Sequence, residues 1–148
     1  MKKEEELYLL SKERGFLATV GADESPTVVP VCYAYREGRI YTMVDSKPKR
    51  KGVLWRVRNI ESRPEVAFIV DTYSDDWRKL SYLLVHGRAS VLKEGEEARE
   101  ARRLLVARYP QYRWLGAGEG TVIRVDIASV RYWRFSQSYV ESPFLQPV

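Results

Sequence analysis

The densest chemistry in the sequence is a run of cations between a predicted strand and a predicted helix. Six basic residues and no acidic one occur from position 47 to position 58, namely Lys47, Lys49, Arg50, Lys51, Arg56 and Arg58. Cationic side chains and the free backbone N–H groups at a helix N-terminus both attract anions. The hydroxyls of Thr42 and Ser46 could add hydrogen bonds. The pattern predicts a phosphate site, and the competing interpretation is a solvated helix face. Residues 46–51 are called the basic segment below.

Other chemistry-bearing residues are sparse. His86 is the only histidine and Cys32 the only cysteine, so neither a zinc set nor a disulfide is expected. The glycines of residues 116–120 follow a helix and precede a strand, which is the reverse of a dinucleotide-binding fingerprint. No carboxylate pair stands out for acid–base work. If the chain is an enzyme, a cofactor therefore supplies the difficult chemistry.

Size and composition are typical of one soluble domain. The chain has 148 residues, with 45% apolar and 30% charged side chains. No apolar run approaches the roughly 20 residues of a membrane span, and no signal-peptide core follows the first residues. The single cysteine favours the cytosol. The net charge of +5 favours anionic partners but is too small to indicate nucleic acid.

The hydrophobic pattern predicts about seven strands and three helices. We expect an antiparallel barrel with peripheral helices, since the strands are separated mainly by turns. Residues 28–35 and 40–44 should form a hairpin around Glu37-Gly38. Pro30 should give its strand an open side or a bulge. Residues 1–148 are expected to be a single domain with an irregular tail at 136–148. The remaining predicted elements are helices at 4–14, 51–62 and 94–109 and strands at 16–20, 66–73, 82–92, 121–125 and 130–135.

An ordered set of segments resembles a known superfamily. The strands at 16–20, 27–31 and 40–42 are followed by the Ser/Lys/Arg loop, by residues 56–60 and 64–67, and then by 71–77 and 85–89. This order is similar to the pyridoxamine 5'-phosphate oxidase-like, FMN-binding split-barrel superfamily, and most to its branch of deazaflavin (coenzyme F-420)-dependent enzymes. The resemblance implies a mainly β split barrel that dimerises with itself and binds its cofactor in a groove between the subunits.

The resemblance also implies site residues. The second strand would lie along the cofactor ring and the end of the third would continue that wall. The phosphate would be held either by the basic segment or by the helix after it. A polar contact would come from a later strand, and one tryptophan would reach in from the partner subunit. The implied residues are, in that order, Val29, Pro30 and Val31; Thr42 and Met43; Ser46, Lys47, Lys49, Arg50, Lys51 or Arg56; Tyr82; and Trp77.

The expected function is hydride transfer to or from a small organic substrate. FMN and coenzyme F-420 both remain candidates. One phosphate needs about two cations, so six cations favour the longer, more anionic deazaflavin. One alternative is a non-catalytic protein that binds or stores FMN. A barrel that binds single-stranded nucleic acid is disfavoured, because Trp55 is the only aromatic residue within residues 47–58.

Overall fold

The computed structural model describes residues 1–44, 51–114 and 120–135, with the backbone alone for residues 51–54. The chain forms seven strands and four α-helices in these residues, together with one short 3₁₀ turn, Trp77–Lys79. No described helix is long and apolar enough to cross a membrane. The elements in chain order are α1 Lys3–Ser11, β1 Gly15–Val20, β2 Pro26–Val31, β3 Ala34–Arg36, β4 Arg39–Val44, α2 Lys51–Ser62, β5 Glu65–Thr72, β6 Ser81–Leu92, α3 Glu96–Arg108, α4 Gln111–Trp114 and β7 Thr121–Arg134.

All seven strands belong to one antiparallel sheet that curls into a barrel. The strand order is β2-β1-β5-β6-β7-β4-β3, so β2 and β3 lie at opposite edges. Only Cys32 and Tyr33 separate these two edge strands in the sequence. Three Cα steps span at most about 11 Å, so the edges must approach each other there. The predicted class, a mainly antiparallel split barrel with peripheral helices, is confirmed.

The barrel interior is packed with apolar side chains from the strands and from α1 and α2. A second apolar cluster lies between the outer face of the sheet and α3. Strand β4 contributes to both clusters, because alternate residues point to opposite faces. Ile40 and Val44 belong to the interior, whereas Tyr41 and Met43 contact the α3 side. Burial on both faces explains why β4 is almost continuously apolar.

A cluster of hydrogen bonds surrounds Cys32 and Tyr33, the two residues that connect the edge strands. We call this cluster the seam. Thr42 Oγ1 on β4 donates to the Cys32 carbonyl at 2.8 Å. Arg108, at the end of α3, donates to the Tyr33 carbonyl at 2.7 Å and also to the Lys12 carbonyl. The Tyr33 hydroxyl in turn donates to a carbonyl in α1. One connecting dipeptide therefore fastens β4, α1 and α3 at the same place.

Three predicted elements differ from the observed ones. Residues 28–35 are not one strand, because β2 pairs with β1 and only β3 forms the hairpin with β4. The turn itself lies at Glu37-Gly38, as predicted, with both residues at positive φ. Residues 121–134 form one long strand rather than two, and β6 accommodates it with a register shift at His86/Gly87. Residues 111–114 form a short helix where no element was predicted.

The open side predicted from Pro30 is confirmed, since β2 is an edge strand.

The buried face of the first helix is not the one that its apolar spacing suggests. Leu7 and Leu10 share one face of the helix, but both are largely exposed and Leu9 is fully buried. The helix also ends at Ser11, so Gly15 starts β1 instead of terminating the helix. A Cβ atom at Gly15 would lie 2.1 Å from Cζ of Phe68, so the ring of Phe68 occupies the space of the missing side chain.

Substituting Gly15→Ala should lower the free energy of unfolding by about 1–3 kcal/mol, because the new methyl group overlaps the Phe68 ring. The same change in a Phe68→Leu background should cost less, since a smaller side chain vacates the space. Urea unfolding of the four proteins in this cycle measures the coupling. Additive effects of the two substitutions would contradict this packing.

A charged network fastens α3 to β4 and β7. Glu97 accepts hydrogen bonds from Tyr41 at 2.9 Å, from Arg124 at 2.9 Å and from Arg39 at 3.3 Å. Both arginines also contact Asp126, each at 3.1 Å. Partial burial raises the pKa of Glu97, but the Tyr41 hydrogen bond and the Arg124 charge outweigh it and hold the pKa below its ordinary value.

This network should make stability depend on pH in the acid range. A depressed folded-state pKa stabilises the protein above the unfolded pKa, and this stabilisation is lost as the pH falls through the folded value. The stability difference between wild type and Glu97→Gln should therefore shrink as the pH falls from about 6 to about 3. Glu96→Gln is the matched control, because the exposed Glu96 has no ion pair in the described residues. Equal pH dependence of both variants would contradict the assignment.

Candidate functional site

The helix that follows the basic segment is anchored to the barrel by a buried polar contact. Asn59 Nδ2 donates to Thr19 Oγ1 on β1 at 3.0 Å, and Val57 and Ile60 join the core. This docking turns Arg58 to solvent and leaves Arg56 half-buried. The predicted phosphate ligands Ser46, Lys47, Lys49 and Arg50 lie outside the described residues, as does the side chain of Lys51. Among the predicted phosphate ligands, Arg56 is therefore the one that the structure describes in full.

Arg56 is a desolvated cation. Burial lowers the pKa of its guanidinium, and the nearby Tyr112 hydroxyl opposes that effect. Within the described residues, no carboxylate pairs with Arg56 and no hydrogen bond engages it. Burying a charge without a partner is costly, so this guanidinium suits an incoming anion.

Tyr112 was not predicted as a site residue. Burial raises its pKa to about 12, so its hydroxyl stays protonated at neutral pH and is available as a donor. Its ring meets that of Tyr109 edge to face, with centroids 6.1 Å apart. Sequence reasoning missed Tyr112 because it follows the helix predicted at 94–109, where no further element was predicted. The Tyr112 hydroxyl interacts electrostatically with both Arg56 and Cys32, so it lies near α2 and near the seam.

The residue that follows β2 contacts β4, so the two strands that the resemblance assigns to the ring wall approach each other here. The contact runs from Thr42 Oγ1 to the Cys32 carbonyl. Thr42 and Met43 are both buried in the chain, however, so their side chains serve the fold. The thiol of Cys32 is exposed, but desolvation raises its pKa despite Arg108 and Arg14, so it is a weak nucleophile at neutral pH.

The three predicted residues of β2 face two different directions. Val29 and Val31 point inward against the core, whereas Pro30 is exposed, as is its neighbour Val28. A ring lying along the outer face of β2 would therefore contact the Pro30 side chain but neither Val29 nor Val31. Because β2 is an edge strand, alternate backbone groups along its open side are available to a polar ring edge.

Trp77 and Tyr82 lie far along the sheet from the end of β4. The β4 end pairs with the first residue of β7, Thr121, whereas Tyr82 pairs with Trp133 near the other end. About 40 Å of strand path separates these positions. Tyr82 stacks on Trp133 with ring centroids 5.6 Å apart, and Trp77 is 63% exposed in its 3₁₀ turn. Within one subunit the predicted residues therefore form two groups, one around Arg56 and one around Trp77.

The described residues offer no metal site. No group of three or more His, Cys, Asp or Glu side chains comes together there. His86 is exposed on β6, opposite Ala67 and Ser129. The groups that the candidate site presents are a half-buried cation, hydroxyl donors, an open strand edge and exposed aromatic rings. This donor set fits a planar polar ring joined to a phosphate.

The comparisons with known proteins agree with this fold. The family model described as pyridoxamine 5'-phosphate oxidase matches residues 1–134. None of the curated proteins matches the sequence.

Several solved structures share the fold at low identity. A conserved hypothetical protein from Mycobacterium tuberculosis is 20% identical, with a TM-score of 0.74 over 93% of this chain and 88% of that one. An FAD-binding protein from Mesorhizobium loti is 21% identical, with a TM-score of 0.68 over 89% and 92%. The heme storage protein from Vibrio cholerae is 15% identical, with a TM-score of 0.69 over 90% and 95%. Similarity at this level shows the fold alone.

Two arginines near aromatic rings should respond oppositely to removal of their charge. Arg56→Met should leave the free energy of unfolding of the ligand-free protein unchanged or raise it, because a desolvated charge is removed. Arg108→Met should lower it by about 1–3 kcal/mol, because the Lys12 carbonyl loses its donor and the Tyr33 carbonyl keeps only the Tyr109 hydroxyl. Chemical denaturation measures both. A loss for Arg56→Met as large as that for Arg108→Met would show that Arg56 has a structural partner.

Proposed function

Because the chain belongs to the pyridoxamine 5'-phosphate oxidase family, we propose that it is a cytosolic oxidoreductase that uses a flavin-type cofactor. The observation that carries the proposal is Arg56, a half-buried cation without a carboxylate in the described residues, on the helix that follows the basic segment. Cys32, which follows β2, contacts Thr42 on β4, and Tyr112 interacts electrostatically with both Cys32 and Arg56. A ring and a phosphate could therefore be held by neighbouring parts of one subunit.

Each part of the chain has a distinct task in this proposal. Arg56 and the basic segment bind the phosphate, and Tyr112 adds a hydroxyl donor. The open edge of β2 and the Pro30 side chain hold the ring. In a homodimer, Trp77 and Tyr82 of the second subunit cover the ring and exclude water. This division accounts for the two separated groups, since residues too far apart in one chain can meet across an interface.

Exposed aromatic rings support the dimer. Trp114 is 84% exposed, Trp77 63% and Trp55 58%, each outside the packed core. Aromatic side chains are enriched at protein–protein interfaces relative to the rest of the surface.

The exposed Trp55, close in sequence to the basic segment, is also the feature that single-strand binding would require. The arrangement of β2 and Arg56 favours a discrete phosphorylated ligand instead.

We favour coenzyme F-420 over FMN as the ligand. Six cations from position 47 to position 58 exceed what one phosphate requires. The carboxylates that coenzyme F-420 carries beyond its phosphate would pair with the remaining cations. When bound, either cofactor would supply hydride transfer to or from a small organic substrate. The protein would contribute position, a phosphate clamp and exclusion of water.

Titration with each cofactor at low and high salt tests the proposal. The deazaflavin should bind more tightly than FMN and lose more affinity in high salt, because more charges are paired. Arg56→Gln should weaken binding by roughly tenfold or more, since a charge-assisted hydrogen bond contributes about 1.5–3 kcal/mol. Arg58→Gln is the matched control, with the same charge on the exposed side of the same helix, and should have little effect.

Three outcomes would change the assignment. Equal effects of Arg56→Gln and Arg58→Gln on cofactor affinity would show that these cations form only a solvated surface. FMN that copurifies at one per subunit and resists the deazaflavin would overturn the choice of cofactor. Tight binding of a cofactor that no hydride donor or acceptor can reduce or oxidise would favour the alternative, a storage protein. Light scattering on the same samples gives the number of subunits.

A further inference from the structure

A groove lies at the end of β7 opposite the one that pairs with the end of β4. Its volume is about 540 Å³, within the range of small-molecule sites. It lies between the 3₁₀ turn, the start of β6 and the end of β7. We call it the mouth groove, and its lining residues are Arg78, Lys79, Leu80, Ser81, Arg134 and Phe135.

Three of the six lining residues are cations and none is acidic. Arg78 pairs with Asp76 at 2.8 Å, and Arg134 pairs with Glu4 at 2.9 Å. Lys79 has no ion pair among the described residues. The Arg134–Glu4 pair is exposed, and exposed ion pairs contribute little to stability. Arg134 can therefore turn towards a ligand at little cost. Arg78 donates Nε and Nη2 to both carboxylate oxygens of Asp76, so it keeps that partner and offers its remaining N–H groups to a ligand. Lys79 needs no rearrangement of a partner.

A chain of hydroxyl groups ends in the groove. Lys12 Nζ donates to Thr72 Oγ1, which lies 3.0 Å from the Tyr8 hydroxyl, and that hydroxyl lies 2.7 Å from Ser81 Oγ. An ammonium group can only donate, so it favours a chain in which each hydroxyl donates away from it. Thr72 then donates to Tyr8 and Tyr8 to Ser81. The Ser81 O–H remains as a donor for the groove.

The mouth groove is a different place from the proposed cofactor site of the same subunit. Ser81 pairs with Arg134, the last residue of β7, whereas the end of β4 pairs with Thr121, the first. The groove also has an apolar wall, formed by Leu80 and Phe135. Its donors and its apolar wall together suit a compact ligand that is anionic at one end and apolar at the other.

We propose that the mouth groove is a second binding site, for a small molecule that carries a phosphate or carboxylate group on an apolar body. Lys79, Arg78 and Arg134 bind the oxyanion, and the Ser81 hydroxyl donates to it. Leu80 and Phe135 contact the apolar body. The mouth groove shares no residue with the phosphate clamp of its own subunit. In the proposed homodimer it lies next to Trp77 and Tyr82, which cover the ring bound by the other subunit.

Backbone amide chemical shifts of labelled protein can locate such a ligand. Phenyl phosphate, benzoate and the neutral benzyl alcohol are the probes, and they separate a phosphate preference from a carboxylate preference and from apolar contact alone. The two anions should shift the amides of Leu80, Ser81 and Phe135, and benzyl alcohol should not. Lys79→Gln and Ser81→Ala should each weaken binding, and together by roughly tenfold or more. Lys93→Gln, an exposed cation outside the groove, should have no effect.

An Arg56→Gln variant separates this site from the cofactor site. The shifts at the groove should persist in that variant even if those at residues 52–56 disappear. Shifts confined to residues 52–56 would place the anion in the other site and overturn the proposal. So would equal binding by wild type and Lys79→Gln, equal binding of benzyl alcohol, or no shift at millimolar probe.

Discussion

The barrel depends on a two-residue connection, Cys32-Tyr33, between strands at opposite edges of one sheet. So short a connection obliges the sheet to curl, and the hydrogen bonds at the seam fix the closed shape. Both backbone carbonyls of the connection accept side-chain donors, from Thr42 and Arg108. A buried carbonyl without a donor would be costly, so these contacts are required wherever the edges meet. The Arg108 guanidinium also lies 4.7 Å from the centre of the Tyr33 ring, which adds a cation–π contact.

The same closure positions the candidate site. It brings the end of β2 beside β4, and the chain leaves β4 directly into the basic segment and α2. The Asn59–Thr19 contact then sets the rotation of α2, which half-buries Arg56 and exposes Arg58. Arg56 and Arg58 lie about 200° apart around the helix, so a rotation of α2 of that size would exchange their exposures. A structural hydrogen bond on one side of the helix thus determines which of the two cations is desolvated.

Much of the fold could be predicted because its signals are local. The apolar periodicity of residues 51–62 predicted α2 with the observed bounds, and Glu37-Gly38 marked the hairpin turn. The errors arose where distant contacts decide. Whether 28–35 is one strand or two depends on curling of the sheet, and Leu9 is buried because the core lies on its side of α1. The site was predicted less completely. Arg56 stays a predicted phosphate ligand, whereas Tyr112 and the mouth groove involve residues far apart in the sequence.

The sequence by itself determined the element types, the family and the concentration of cations before α2, because these follow from local composition and order. It left undecided which side chains are desolvated. Only the tertiary structure decided that Arg56 is half-buried near Tyr112, that Thr42 and Met43 serve the core, and that Trp77 lies far along the sheet from the end of β4. The physical reason is that burial depends on what the rest of the chain places around a residue. The free energy of a charge depends on that surrounding medium as well as on its sequence neighbours.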